Sequence, residues 1–207
     1  MNAAQANQAG VMNWTSHPIR NRKLGMWLFI LSDALTFAAL LFSYVYLRRL
    51  SAVWPRPFSL SPEILFASLM TLCLLASSWT MAKAVKASAL GNRAKLVRWL
   101  LVTIAAGSAF VVLHLTEWNR LIDEGLRLFS VPTNWGTDVS PLFGAVFFTL
   151  TGFHLLHVLS GIVYLAVTAL RRKATHETVE LCGLYWQFVD AVWLILFPAL
   201  YLFSMRH

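Results

Sequence analysis

Apolar residues along this chain gather into long runs separated by short polar connections. Five runs reach the length of about 20 residues that an α-helix needs to cross a hydrocarbon core. They are Leu24–Leu47, Pro62–Ala82, Trp99–Trp118, Leu142–Leu170 and Leu184–Phe203. The connections carry the helix breakers. SAVWPRPFSLSPE holds Pro55, Pro57 and Pro62, so it cannot be helical throughout, and Pro62 suits the first turn of the second helix. Gly91-Asn92 marks a turn in the second connection. The third, about Asn119–Pro141, is the longest and joins amphipathic LIDEGLRLF to VPTNWGTDVSP. Trp99 and Trp118 bracket the third run at a helical rise of about 28 Å, the separation of two interfacial anchors. Inside it, Thr103 with Gly107 and Ala105 with Ala109 form small-xxx-small pairs that let neighbouring helices approach. Pro198 predicts a bend in the last helix. The expected fold is all-α, a polytopic membrane protein built as a bundle of five transmembrane helices. Residues 1–23 are expected to form a polar N-terminal segment, ordered near Trp14 and Pro18, and residues 24–207 a single five-helix domain.

Composition agrees with the pattern. Hydrophobic residues make up 58% of 207, and the five runs use more than half of the chain, so no room remains for a separate soluble domain. The net charge of +8 invites a reading as a nucleic-acid binder, but its distribution argues against one. Eleven of the 17 basic residues fall in the N-terminal segment and the second and fourth connections, which lie on one side of a five-span chain. The positive-inside rule then places the N-terminus in the cytoplasm and the C-terminus outside. The basic residues read as topology and anionic-lipid signals, not as a nucleic-acid surface. No cleavable signal is expected, because the first 19 residues carry no Lys or Arg and the first apolar run is too long for a signal core. Cys73 and Cys182 fall at different depths, which argues against a disulfide and offers no metal framework.

The candidate chemistry lies in the polar residues inside the spans. FFTLTGFHLLHVLSG places His154 and His157 close to one helical turn apart, hence on one face, with Gly161 on the same stripe. The two imidazoles could be metal ligands, with Asp33, Asp190 and Glu180 completing a site, or polar contacts between helices. The doubled Glu-x-x-His pattern of di-iron bundles is absent. Asp33 and Asp190 could belong to a proton path, or could each be hydrogen-bonded to a neighbouring helix. A carboxylate near the bilayer centre costs about 2.5–3.5 kcal/mol on insertion scales, so Asp33 needs a partner or a proton. His114 and Glu117 follow closely near the far end of the third helix. Arg171, Arg172, Lys173 and His176 could grip a lipid phosphate or form a solvated patch. Phosphate-binding loops, nucleophile elbows and paired cysteines are absent, and a transporter built on repeats has no support because no internal repeat exists.

Three stretches, GMWLFILSDALTFAALLFSYVYLR, FFTLTGFHLLHVLSG and YWQFVDAVWLILFPALYL, together with LHLTEW, resemble subunit III of the haem–copper oxidases in order and spacing, over about Leu24 to Phe203. The chain looks like the five-helix bacterial form, lacking two helices of the longer members. The resemblance implies a multi-pass subunit of the bacterial cytoplasmic membrane with no catalysis and no redox cofactor of its own. It implies packing against subunit I, which bears haem and copper, association with subunit II and a small subunit IV, retention of structural phospholipid, and support of sustained proton uptake. By position, Asp33 matches the family's buried acid, often Glu. His154 and His157 match its histidine pair, Glu117 and Glu180 its acids beside the third and last helices, and Asp190 the Asp of its final motif. Gln187 stands where the family usually has His. Members that oxidise quinol share this subunit type, so the resemblance leaves cytochrome c and quinol both open as electron donors.

Overall fold

The computed structural model describes residues 18–55, 57–58, 63–135, 139–172 and 174–204. Trp14, Pro62 and Lys173 lie outside them. Among the described residues five α-helices follow one another: α1 (Pro18–Leu50), α2 (Leu65–Ala89), α3 (Arg93–Asp123), α4 (Leu142–Leu170) and α5 (His176–Phe197), the last continued by a π-helical turn over Pro198–Leu202. All five are long and apolar enough to cross a membrane. Among the described residues no strand forms. The connections hold only isolated bridges, Val53 to Val139 and Arg127 to Ser130, and a 3-10 turn at Thr133–Trp135.

Four of the five helices outrun the apolar stretches that announce them, because helix continues into the interface where the side chains turn polar. The first helix starts at Pro18, inside the segment expected to precede the bundle, and proline is well placed at a helix start. Lys23 and Arg22 on its first turns pair with Glu180 at 2.8 Å and Glu177 at 3.9 Å on α5. The third helix begins six residues before Trp99 because the Asn92 side chain caps it, accepting from the Lys95 amide at 3.0 Å. Its far end takes in LID of the expected amphipathic loop, and Gly125 (φ 102°) then turns the chain. The fifth helix starts at His176 rather than Leu184, since Thr175 accepts from the Thr178 amide at 3.3 Å. The Gly91 turn occurs as expected, with φ 65°. Pro198 cannot donate an amide to the α-helical ladder, and the chain widens there into the π turn, closed by Phe203 N–H to Pro198 O at 3.1 Å.

The fifth helix is the hub. It packs on α1, α2 and α4, and 56% of its span is buried inside the chain, against 11% for α1. The second and third helices form a tight hairpin. Trp186 and Trp193, seven residues apart on α5, are fully buried and reach across to α3. Gly107 of α3 and Gly161 of α4 make room for Trp186, whose ring would stand 2.6 and 2.8 Å from a methyl group at either position. Thr103 is buried and hydrogen-bonded to Thr80 of α2 at 2.8 Å, so the Thr103–Gly107 pair packs inward. The Ala105–Ala109 pair does not. Both alanines are exposed, because that stripe of α3 faces away from the bundle.

Candidate functional site

The polar residues of the spans separate into a half-open groove, a sealed core and two buried carboxylates. The groove lies between α1 and α4. His157 Nε2 sits 3.1 Å from Asp33 Oδ2, and His157 Nδ1 lies 2.8 Å from the carbonyl oxygen of Phe153. A carbonyl only accepts, so Nδ1 carries a hydrogen, and Nε2 is the ring nitrogen that meets the carboxyl group of Asp33. The hydrogen bond to His157 offsets part of the cost of burying Asp33. The side chains of His157 and Asp33 remain 12% and 16% exposed, enough to meet solvent or a partner. Phe37 and Phe153 pack on the His157 ring, with centroids 5.3 and 4.7 Å away. Ser160 and Tyr185 donate toward the His157 carbonyl at 2.8 and 3.2 Å, and their hydroxyls are 2.6 Å apart.

His154 belongs elsewhere. The three-residue step rotates it about 60° from His157 around α4, and that angle carries it from the groove into the bundle axis. It is wholly buried and stacks on Trp193 with centroids 5.2 Å apart, while Phe110 meets it edge-on at 5.8 Å. His114 of α3, also wholly buried, lies on the same Trp193 at 5.6 Å and stacks on Phe110. The expected shared face of His154 and His157 is therefore divided, and His154 is grouped instead with the histidine that seemed remote in sequence. Neither His114 nor His154 has a hydrogen-bond partner among the described residues, and those residues contain no cluster of three His, Cys, Asp or Glu able to hold a metal.

Asp190 on α5 is 4% exposed. Ser78 of α2 donates to its Oδ2, Ser77 lies 3.4 Å from the same oxygen, and Trp186 Nε1 donates to Ser77 at 2.9 Å. Glu117 on α3 is 2% exposed and accepts from the Tyr201 hydroxyl at 2.6 Å. Glu180 is paired to Lys23 at the end of the bundle, and Gln187 stands exposed on α5. Arg171, Arg172 and His176 are exposed at the α4–α5 connection. Arg93 closes that end, its guanidinium donating to the carbonyl oxygens of Ala169 and Arg171 at 2.6 Å each. Cys182 is buried, Cys73 half-buried, and both are free.

Several partners were not singled out from sequence. Ser77, Ser78, Tyr185 and Tyr201 each satisfy a residue that was. The Ser77-Ser78 pair was the available signal, two adjacent hydroxyls midway along an apolar helix, and the seven-residue spacing of Trp186 and Trp193 marked one inward stripe.

A family model described as cytochrome c oxidase subunit III matches residues 6–205. Cytochrome c oxidase subunit 3 of Synechocystis is 31% identical over 188 residues, covering 87% of this chain and 75% of that protein. Cytochrome bo(3) ubiquinol oxidase subunit 3 of Pseudomonas putida is 31% identical over 88% of this chain and 86% of its own length. Quinol oxidase subunit 3 of Bacillus subtilis is 28% identical over 98% of this chain and 97% of its own length.

Proposed function

The chain belongs to the cytochrome c oxidase subunit III family, and on that premise we propose that it is the non-catalytic core subunit III of a proton-pumping haem–copper terminal oxidase. The match along nearly the whole chain, together with the relatives named subunit 3 of cytochrome c and quinol oxidases, carries the reading. The chain spans the membrane several times and works in association with other oxidase subunits. In the finer reading, the membrane is the bacterial cytoplasmic membrane, with the N-terminus in the cytoplasm. Subunit I packs directly on the chain and holds haem and copper, subunit II and a small subunit IV complete the complex, and structural phospholipid fills its margins. A donor of the quinol type is a specific second reading, supported by the end-to-end coverage of the Bacillus subunit.

Within that role Asp33 supports proton uptake, and the geometry of its pair with His157 supports the assignment. The two groups lie 3.1 Å apart and remain 16% and 12% exposed, so a proton that reaches either one has the other within direct transfer distance. Glu117, Glu180 and Asp190 serve as polar contacts within the chain, His154 packs in the aromatic core, exposed Gln187 is left for a contact outside the chain, and Arg171, Arg172, Lys173 and His176 meet lipid head groups.

Two measurements test this. A tagged chain purified in mild detergent brings down a haem-containing partner, and recovery of a lone colourless protein from respiring membranes would sink the assignment. Asp33→Asn keeps a donor for His157 Nε2, so the complex assembles, while turnover declines faster or fewer protons are pumped per electron. Loss of assembly with normal turnover of the remaining complex makes Asp33 a packing residue instead, and an unaltered enzyme rejects both roles.

A further inference from the structure

Beyond α3 the chain makes a short strap with an apolar tip. Gly125 ends the helix with φ 102°, Leu126 N–H returns to Leu121 O at 2.9 Å, and Arg127 N–H bonds Ser130 O at 2.9 Å. Leu128 and Phe129 are thus the two residues of a tight reversal, a position that commonly holds Asn, Asp or Gly. Their φ angles are negative, so turn geometry does not explain them, and they stand 52% and 74% exposed. The strap itself is firmly seated. Leu126 is fully buried, and the Arg127 carbonyl rests on Gly144 of α4 where no larger residue would fit.

Under this strap lies a groove of about 600 Å³ between α3 and α4. Its floor is the edge-to-face pair of Trp118 and Phe148, with centroids 5.3 Å apart, and Ile122 forms part of its wall. The floor is rigid, because Trp118 Nε1 donates to Thr151 at 3.2 Å and the indole packs on Gly152. Arg127 is the one charged residue of the lining. The volume falls within the range of about 300–1,000 Å³ typical of small-molecule pockets. The groove opens at the end of a membrane span, where tryptophan and arginine commonly sit at head-group level.

We propose that this groove is a binding site for an acyl chain of an anionic phospholipid, held beneath Leu128–Phe129 with its phosphate at Arg127. The apolar lining takes the chain, the single cation selects the charge, and the apolar tip extends the contact along the lipid. The site lies at the opposite end of the bundle from Arg171 and Arg172. The inference rests on the chain crossing a membrane and not on which oxidase it serves.

The test uses the full-length chain, with whatever subunits co-purify, in vesicles of phosphatidylethanolamine and phosphatidylglycerol. A trace of phosphatidylglycerol carries a diazirine at the end of one acyl chain. After irradiation, adducts concentrate on the peptides holding Ile122 and Phe148, above the level on the lipid-exposed Leu28–Leu35 stretch of α1. Arg127→Gln lowers that labelling about fivefold, the worth of one basic residue near an anionic head group, and leaves labelling by a phosphatidylcholine probe unchanged. A Leu128→Ser/Phe129→Ser variant lowers labelling by both probes. All three side chains are exposed, so circular dichroism and co-purification should remain those of the parent. Labelling no higher than on α1, or indifferent to Arg127→Gln, overturns the site. So does a bifunctional cross-link showing a side chain of another subunit in the groove.

Discussion

The tightest joint in the bundle is the seat of Trp186, and enlarging the glycines that form it is expected to loosen the whole chain. A methyl group at Gly107 would lie 2.6 Å from Trp186 Cη2 and 2.9 Å from Cζ2. One at Gly161 would lie 2.8 Å from Cε3 and 2.9 Å from Cζ3. These atoms belong to one rigid ring pressed from α3 and α4, so it cannot yield by rotating a flexible end. Nor can it withdraw freely, because its Nε1 donates to Ser77 at 2.9 Å. Overpacking a filled core costs about 1–3 kcal/mol, and disturbing the indole hydrogen bond adds about 1 kcal/mol. The helical preference for alanine over glycine returns about 1 kcal/mol, so Gly107→Ala and Gly161→Ala should each destabilise by about 1–3 kcal/mol. At roughly 2–4 °C per kcal/mol for a chain of this size, the thermal midpoint should fall by several degrees, followed by near-UV circular dichroism in one detergent throughout. Gly25 supplies the control, since nothing lies within 4 Å of a methyl group there and Gly25→Ala should be neutral or stabilising by up to about 1 kcal/mol. Trp186→Phe opens the seat, so the cost of Gly161→Ala should shrink in that background. Midpoints of Gly161→Ala and Gly107→Ala at or above the parent's, or a Gly161→Ala cost unaltered by Trp186→Phe, would refute the reasoning.

Ser77→Ala removes the acceptor of Trp186 Nε1 inside a sealed core, and leaving that donor unpaired should cost about 1–3 kcal/mol; an unshifted thermal midpoint would contradict it. Arg93→Gln takes a cation and two donors from the C-terminal end of α4, a loss of about 1–2 kcal/mol confined to that end. Amide exchange should therefore quicken in the last turn of α4 and not in its middle, and equal protection in both chains would count against the cap.

The number, order and type of the helices were legible because hydrocarbon thickness dictates the length of an apolar run. Their ends were not, because Asn92, Thr175 and the charged flanks extend helix beyond the apolar stretch by side-chain caps that hydropathy does not register. The Thr103–Gly107 pair could be picked out, but so could Ala105–Ala109, and only the packing reveals that the second stripe faces outward. Asp33 announced its need for a partner through its cost in an apolar span. That the partner would be His157 depends on how α1 and α4 are set against each other, which no local pattern encodes.

The division of the histidines sorts the chemistry more sharply than their spacing did. A group that exchanges protons must be reachable, and it must change charge without stranding that charge among apolar rings. His154 and His114 meet neither condition. Both are wholly buried, both lie against Trp193 and Phe110, and among the described residues neither ring has a hydrogen-bond partner to accompany a change of state. They act as shaped, polarisable members of an aromatic core. Asp190 and Glu117 have partners but are sealed, tied to α2 and to the π turn respectively. The Asp33–His157 pair alone among these groups combines partial exposure with a titratable partner at hydrogen-bond distance. It also sits on the side of α1, the helix least covered by its own chain and therefore the one whose outer face is left for lipid or for another subunit. On the proposed role of Asp33, proton uptake is therefore expected at the margin of the chain, with the interior holding that margin in place.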